Sequence, residues 1–84
     1  MNRTVRMFAL STCSHCKATK KFLNDYRVQF ECTDVDMLDS VNKAMVLDEV
    51  KKYNPRLTFP TIIIDGNRVI IGFQEDEIKK ALEL

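Results

Sequence analysis

The tetrapeptide Cys13-Ser14-His15-Cys16 lies between two segments with different hydrophobic patterns. Residues 4–10 are rich in apolar and β-compatible side chains and predict a buried strand. Residues 13–26 predict a helix, because apolar side chains recur there at helical spacing, namely at Ala18, Phe22, Leu23 and Tyr26. Lysines of this segment, including Lys17, Lys20 and Lys21, fall on the opposite, solvated face. Cysteines at this spacing, at a helix start, form and break a disulfide reversibly, which indicates a redox site.

The composition fits one soluble domain spanning residues 1–84, with 45% hydrophobic and 30% charged residues. A net charge of +1 attracts neither nucleic acid nor an anionic membrane, so we expect neither as a partner. The apolar stretch 7–10 is too short for the core of a signal peptide or for a bilayer span. We expect a monomer in a reducing cytoplasm, where the thiols persist.

The segment after the first helix predicts a second strand and a second helix. Residues 28–35 alternate apolar and polar side chains, as a strand does. Asp39-Ser40 can cap a helix that ends near Asn54, since Pro55 disfavours helical geometry in the residue before it. The residues expected to face inward from this helix are Val41, Met45 and Val50.

The last third of the chain predicts a hairpin and a helix. Two β-rich runs, 61–64 and 68–71, flank the glycine-containing turn 65–67. Residues 74–84 predict a final helix with acidic residues in its first turn. The element order β-α-β-α-β-β-α predicts an α/β fold, in which two parallel strands join an antiparallel pair in one four-stranded mixed sheet flanked by helices.

Several motifs carry a resemblance to a known family. The Cys-x-x-Cys at the helix start, Thr58-Phe59-Pro60 before the third strand, and the later Gly72 have the spacing of a small glutaredoxin. The chain resembles that family over essentially its whole length, which implies a thioredoxin-like fold. Residues 16–20 and 72–76 also resemble runs of NrdH-type redoxins, relatives that reduce ribonucleotide reductase.

The two cysteines have separate predicted roles, since thiol–disulfide exchange needs a thiolate. Thr12 or Cys13 would occupy the N-cap region, where free backbone amides and the helix dipole stabilise the Cys13 anion as the attacking nucleophile. Cys16, one turn further in, would attack the resulting mixed disulfide and release the reduced substrate. His15 would either favour the thiolate when protonated or serve as an exposed spacer that shapes access to sulfur.

The resemblance implies a binding surface around Cys13. It implies that Pro60 is cis and faces Cys13, so that the Phe59 backbone can bind a substrate peptide or glutathione. Asp76 matches an acidic position that holds the γ-glutamyl amino group of glutathione, and Gly72 either permits close approach of a ligand or ends the hairpin. The predicted substrate- or glutathione-binding residues are Thr12, His15, Thr58, Phe59, Pro60, Gly72, Phe73, Gln74 and Asp76.

Some positions depart from the family pattern. Ser14-His15 replace the common Pro-Tyr, Leu10 stands where a lysine often meets a glutathione carboxylate, and Phe73 replaces the second glycine of a Gly-Gly pair. A replacement cation would come from Lys51, Lys52 or Arg56. The predicted electron donor is therefore either glutathione or a flavoprotein of the thioredoxin-reductase type, and no permanently bound cofactor is expected.

The predicted function is that of a dithiol–disulfide oxidoreductase acting on protein or glutathione mixed disulfides, with ribonucleotide reductase among the candidate partners. The alternative is a glutathione-assisted iron–sulfur cluster carrier, which Ser14 makes conceivable. A non-catalytic binding module would leave both cysteines unexplained.

Two other common roles of a cysteine pair, zinc binding and haem attachment, do not match the sequence. A zinc site normally needs four ligands, and only Cys32 and His15 supplement the pair, so no metal site is predicted. Haem attachment requires histidine at the position of Lys17. Cys32 is predicted to act as a small buried hydrophobe.

Overall fold

The computed structural model describes residues 3–84, and this part of the chain folds into four strands and three α-helices. The strands are β1 (Val5–Ala9), β2 (Glu31–Asp34), β3 (Thr61–Ile64) and β4 (Arg68–Ile71). The helices are α1 (Ser14–Asp25), α2 (Ser40–Tyr53) and α3 (Glu75–Leu82), with a 3-10 turn at Val35–Met37 between β2 and α2. The predicted element order is confirmed. No helix within residues 3–84 is both long and apolar enough to cross a membrane.

The sheet is mixed, with the strand order β2-β1-β3-β4. Strand β1 pairs in parallel with β2 and antiparallel with β3, and β3 pairs antiparallel with β4. Phe8, near the end of β1, lies opposite Thr61, the first residue of β3. The segment that follows β1 and the segment that precedes β3 therefore meet at the same end of these two central strands, which brings Cys13 and Pro60 together.

The two faces of the sheet bury two separate clusters of side chains. Successive residues of a strand point to opposite faces. Val5, Met7 and Ala9 accordingly pack into the larger cluster, with side chains of α1 and α3. Phe8 points the other way and packs with Val50 of α2. The sheet is therefore covered by α1 and α3 on one face and by α2 on the other.

Only the second half of α2 contacts the sheet. Val50 is fully buried, whereas Val41 and Met45 are 69% and 65% exposed, so the prediction that all three face inward is wrong. A helix turns by about 100° per residue. Val41 precedes Val50 by nine residues and points about 180° away from it, while the half-buried Val46 and Leu47 share the side of Val50. Asp39 caps the helix as predicted, accepting the Asn42 N–H at 2.8 Å.

Other differences from the sequence analysis are local. Strand β2 covers Glu31–Asp34 instead of the predicted 28–35: residues 28–30 precede the strand, and the chain turns into the 3-10 segment at Val35. Lys20 is half-buried and pairs with Asp34 at 2.9 Å instead of lying free on a solvated face. Tyr26 is 43% exposed, with its ring centroid 4.7 Å from that of Phe22.

Candidate active site

Cys13 is the N-cap residue of α1. A hydrogen bond from the Cys13 N–H to the Leu10 carbonyl (3.1 Å) turns the chain after β1, and Cys13 keeps an extended conformation (φ −81°, ψ 119°). Its sulfur accepts the backbone N–H of Cys16 at 3.2 Å, as the oxygen of a capping serine does. The sulfur of the half-buried Cys13 therefore lies at the N-terminal end of α1, beside the free backbone amides of the first turn. We call residues 10–16 the cysteine wall of the site.

Cys16 has a different environment one turn into the helix. Its side chain has no exposed surface and packs in the larger core cluster. Burial raises the pKa of the Cys16 thiol to about 12, and the hydrogen bond with Cys13 adds to this effect. Cys16 is therefore a protonated thiol at neutral pH. No disulfide joins Cys13, Cys16 or Cys32, and Cys32 is half-buried against the same core, which raises the pKa of its thiol.

The segment before β3 forms the opposite side of the site. The Phe59–Pro60 peptide bond is cis, as the resemblance implied, and Pro60 is buried. The Phe59 carbonyl oxygen lies 3.9 Å from the Cys13 sulfur. Backbone groups at Phe59 are thus within reach of a molecule bound to Cys13. We call residues 54–61 the proline wall.

A buried side chain that sequence reasoning missed holds the proline wall. Asn54, 1% exposed, donates from Nδ2 to the Thr58 carbonyl (2.9 Å), the Thr58 hydroxyl (3.0 Å) and the Thr61 hydroxyl (3.0 Å). In the sequence, Asn54 is recognisable only as the end of a helix before Pro55. An amide-bearing residue there, followed by two threonines in seven residues, is a signal that could have indicated a side-chain network.

Gly72 and Phe73 lie beside the proline wall. The Gly72 N–H donates to the Pro60 carbonyl at 2.9 Å, and its φ of +85° is strained for a residue with a side chain. The Phe73 ring is half-buried and packs edge-on against Phe22, with ring centroids 5.8 Å apart. Phe73 therefore joins the start of α3 to the helix that carries the cysteines.

The remaining predicted site residues are exposed. Thr12 lies in the turn before Cys13, and His15 lies in the first turn of α1. Gln74 donates to the Ile71 carbonyl at 2.6 Å, and Asp76 lies in the first turn of α3, where residues 73–77 line an open depression. Within residues 3–84, no hydrogen bond joins Asp76 to the cysteine wall.

The structure also shows where the positions that depart from the family pattern lie. Leu10 is half-buried and packs against the smaller core cluster beneath α2. Lys51 and Lys52 are exposed in the last turn of α2, and Arg56 is exposed in the proline wall itself. Among the described residues, no group of three or more His, Cys, Asp or Glu side chains is arranged to hold a metal ion.

A mixed four-stranded sheet flanked by helices, with a Cys-x-x-Cys pair at the start of the first helix, defines a thioredoxin-like protein. Residues 5–69 match the family model described as Glutaredoxin, and the chain belongs to the glutaredoxin family. It is 32% identical over 79 residues to an uncharacterized glutaredoxin-like 8.6 kDa protein from the rubredoxin operon of Clostridium pasteurianum, a match that covers 94% of this chain and 97% of that protein.

Solved structures agree with this assignment. Methanoredoxin from Methanosarcina acetivorans superposes with a TM-score of 0.93 and 41% identity, covering 96% of this chain and 85% of that one. NrdH-redoxin from Escherichia coli superposes with a TM-score of 0.74 over 92% of each chain, and its 22% identity shows the fold alone. The fold, the family and the neighbouring Cys13 and Cys16 together define a redox protein of the glutaredoxin family.

Proposed function

We propose that the protein is a dithiol–disulfide oxidoreductase. The Cys13 thiolate attacks one sulfur of a substrate disulfide, the substrate S–S bond breaks, and the second substrate sulfur leaves as a thiolate. Cys16 then attacks the Cys13 sulfur, which releases the first substrate sulfur and leaves a Cys13–Cys16 disulfide. The substrate gains two electrons and the protein loses two. One observation supports this proposal above all. The Cys13 sulfur, half-buried at the helix N-cap, accepts a hydrogen bond from the Cys16 backbone N–H, while the Cys16 side chain is fully buried.

The environment of Cys16 suits the second step. Its high pKa arises first from burial, and the hydrogen bond and charge of Cys13 raise it further. In a mixed disulfide the Cys13 sulfur carries no charge, so that part of the increase disappears. The Cys16 thiol therefore becomes easier to deprotonate at the step in which it must attack.

The proposed substrate surface is formed by both walls and the start of α3. The Phe59 backbone beside Cys13 suits an extended peptide or the peptide part of glutathione, which would bind by strand-like hydrogen bonds. Pro60 and Gly72 hold this backbone in place. The other proposed contacts are Thr12, His15, Thr58, Phe73, Gln74 and Asp76.

Two classes of electron donor are proposed, glutathione and a flavoprotein of the thioredoxin-reductase type. Leu10 provides no cation for a glutathione carboxylate, but Arg56 in the proline wall is exposed and can pair with such a carboxylate. Protein substrates, with ribonucleotide reductase among the candidates, would be met in a reducing cytoplasm. The rate at which each donor reduces the oxidised protein identifies the physiological class.

The test uses three cysteine variants assayed on a protein disulfide. Cys13→Ser is expected to lower kcat/KM by about a thousandfold or more, because it removes the nucleophile. Cys16→Ser is expected to accumulate a mixed disulfide with the substrate, visible by mass spectrometry without reductant. Cys32→Ser, outside the site, is the matched control and should retain wild-type activity. A Cys13→Ser protein as active as wild type would refute the proposal.

A further inference from the structure

The proline wall is held by a closed network of side-chain hydrogen bonds. Asn54 lies at the end of α2, and its amide nitrogen contacts Thr58 and Thr61 on the far side of the loop. The Thr61 hydroxyl accepts from Asn54 and donates to the Thr58 carbonyl at 2.8 Å. These bonds join the C-terminal end of α2 to the first residue of β3.

The network ends one peptide unit from the site. The Thr58 carbonyl, which accepts from both Asn54 and Thr61, belongs to the peptide group that also contains the Phe59 nitrogen. On the other side of Phe59, the Pro60 carbonyl accepts the Gly72 N–H. Phe59 is therefore fixed from both sides, while its own carbonyl lies 3.9 Å from the Cys13 sulfur.

We propose that Asn54 is a positioning residue for substrate binding. It acts through Thr58 and Thr61 to hold the Phe59 backbone beside the Cys13 sulfur. This inference rests on the oxidoreductase function proposed above. The side-chain hydrogen bonds of Asn54 go to Thr58 and Thr61 and to neither cysteine, so its effect is on the binding of an extended peptide and not on the reactivity of Cys13. The binding of a ligand without a peptide backbone does not depend on the position of the Phe59 backbone.

The alignment has a physical basis in burial. A buried amide that makes three contacts keeps the loop in one arrangement, because another arrangement leaves the buried polar atoms of Asn54 and Thr61 without partners and without water. An alanine at position 54 removes all three contacts and leaves the Thr58 carbonyl with the Thr61 hydroxyl alone. The Phe59 backbone then samples positions that do not match a bound peptide.

The experiment compares two substrates, a peptide mixed disulfide with glutathione and bis(2-hydroxyethyl) disulfide, which has no peptide backbone. Asn54→Ala is expected to raise KM for the peptide substrate about tenfold with little change in kcat. Its kcat/KM for the small disulfide should stay within about twofold of wild type, as should the rate at which iodoacetamide alkylates Cys13. Thr61→Val, which keeps the shape and removes one contact, should give an intermediate KM.

The matched control is Leu82→Ala, a buried position at the end of α3 that lies beside Val5 and Val28, at the opposite end of β1 from Cys13. It destabilises the protein without touching the proline wall, so it should leave KM for the peptide substrate unchanged. Equal losses on both substrates in Asn54→Ala, in proportion to the loss of stability, would overturn the positioning role. If Asn54→Ala does not fold, the same comparison of the two substrates is made with Thr61→Val. Failure of the proposed function itself is distinguishable, since wild type would then reduce neither substrate.

Discussion

The two walls of the site are built in different ways. The cysteine wall is made by neighbours in sequence, since the Leu10 carbonyl, the Cys13 sulfur and the Cys16 amide meet within seven residues. The proline wall depends on Asn54, a buried side chain whose partners lie across a loop. The backbone of a helix end provides the first wall, whereas particular side chains provide the second.

This difference separates two parts of the chemistry. In the proposed function, the cysteine wall provides the nucleophile for every substrate, since Cys13 is the N-cap residue of α1. In the same proposal, the proline wall presents the Phe59 backbone, whose position beside the Cys13 sulfur determines which molecules bind there. Substitutions in the first wall should therefore change rate or pH dependence, and substitutions in the second should change substrate binding. The following three predictions test this division.

The largest expected effect concerns Cys16 in the cysteine wall. Burial raises the pKa of its thiol from 9.0 to about 12, so between these values the unfolded chain has lost a proton that the folded protein retains. The free energy of unfolding of the reduced protein should therefore fall as pH rises through this window, by at most about 1.4 kcal/mol per pH unit. Denaturant unfolding at a series of pH values measures the slope.

Cys16→Ser is the control for this pH dependence, because it removes the buried thiol. The decrease in stability across the window should be smaller in Cys16→Ser than in wild type. The same slope in both proteins would show that other groups cause the decrease. The proline-wall variant Thr61→Val should keep the wild-type slope, since it leaves the thiol buried.

An intermediate effect is expected from a double-mutant cycle in the proline wall. Asn54→Ala, Thr61→Val and the double variant should show a coupling energy of about 1–2 kcal/mol in the free energy of unfolding, because both residues belong to one buried network. Urea unfolding of the four proteins measures the coupling. Additive effects would mean that the two side chains act independently, and that the proline wall is held by its backbone, as the cysteine wall is.

The smallest effect is expected at a contact that joins the cysteine wall to a distant segment. Asp36 accepts the Ser11 N–H at 2.8 Å and also the Ser11 hydroxyl, and these bonds lower the pKa of its carboxyl group below 3.8. Asp36→Ala should lower the melting temperature less than Asn54→Ala does. The difference from wild type should be present above pH 3.8 and disappear as the pH falls below it.

Activity gives a second measurement on Asp36→Ala. If the cysteine wall is local, kcat/KM for both substrate types should stay close to wild type. A loss of activity comparable to that of a cysteine variant would show that the wall depends on this distant carboxylate, and the contrast between the two walls would fail. Asp39→Ala, at the cap of α2, is a matched substitution that removes a nearby carboxylate without contacting Ser11.

The sequence predicted those elements in which local chemistry and packing agree. The hairpin around Gly66, the Asp39 cap and the helix start at Cys13 follow from turn and cap preferences that act over a few residues. The side of α2 that faces the sheet was predicted wrongly. Val41 and Met45 are as apolar as the residues that are buried, and only the docking of the second half of α2 decides which side is covered.

By itself the sequence determined the cysteine wall, because a cysteine at a helix N-cap and a second cysteine one turn further in need only the geometry of a helix. The family resemblance pointed to the proline opposite them. Tertiary structure decided what holds that proline wall in place. The antiparallel pairing of β1 with β3 brings residues 13 and 60 to the same end of these two strands, and the burial of Asn54 then orders the loop between α2 and β3. Such contacts join residues far apart in sequence, and no short-range pattern specifies them.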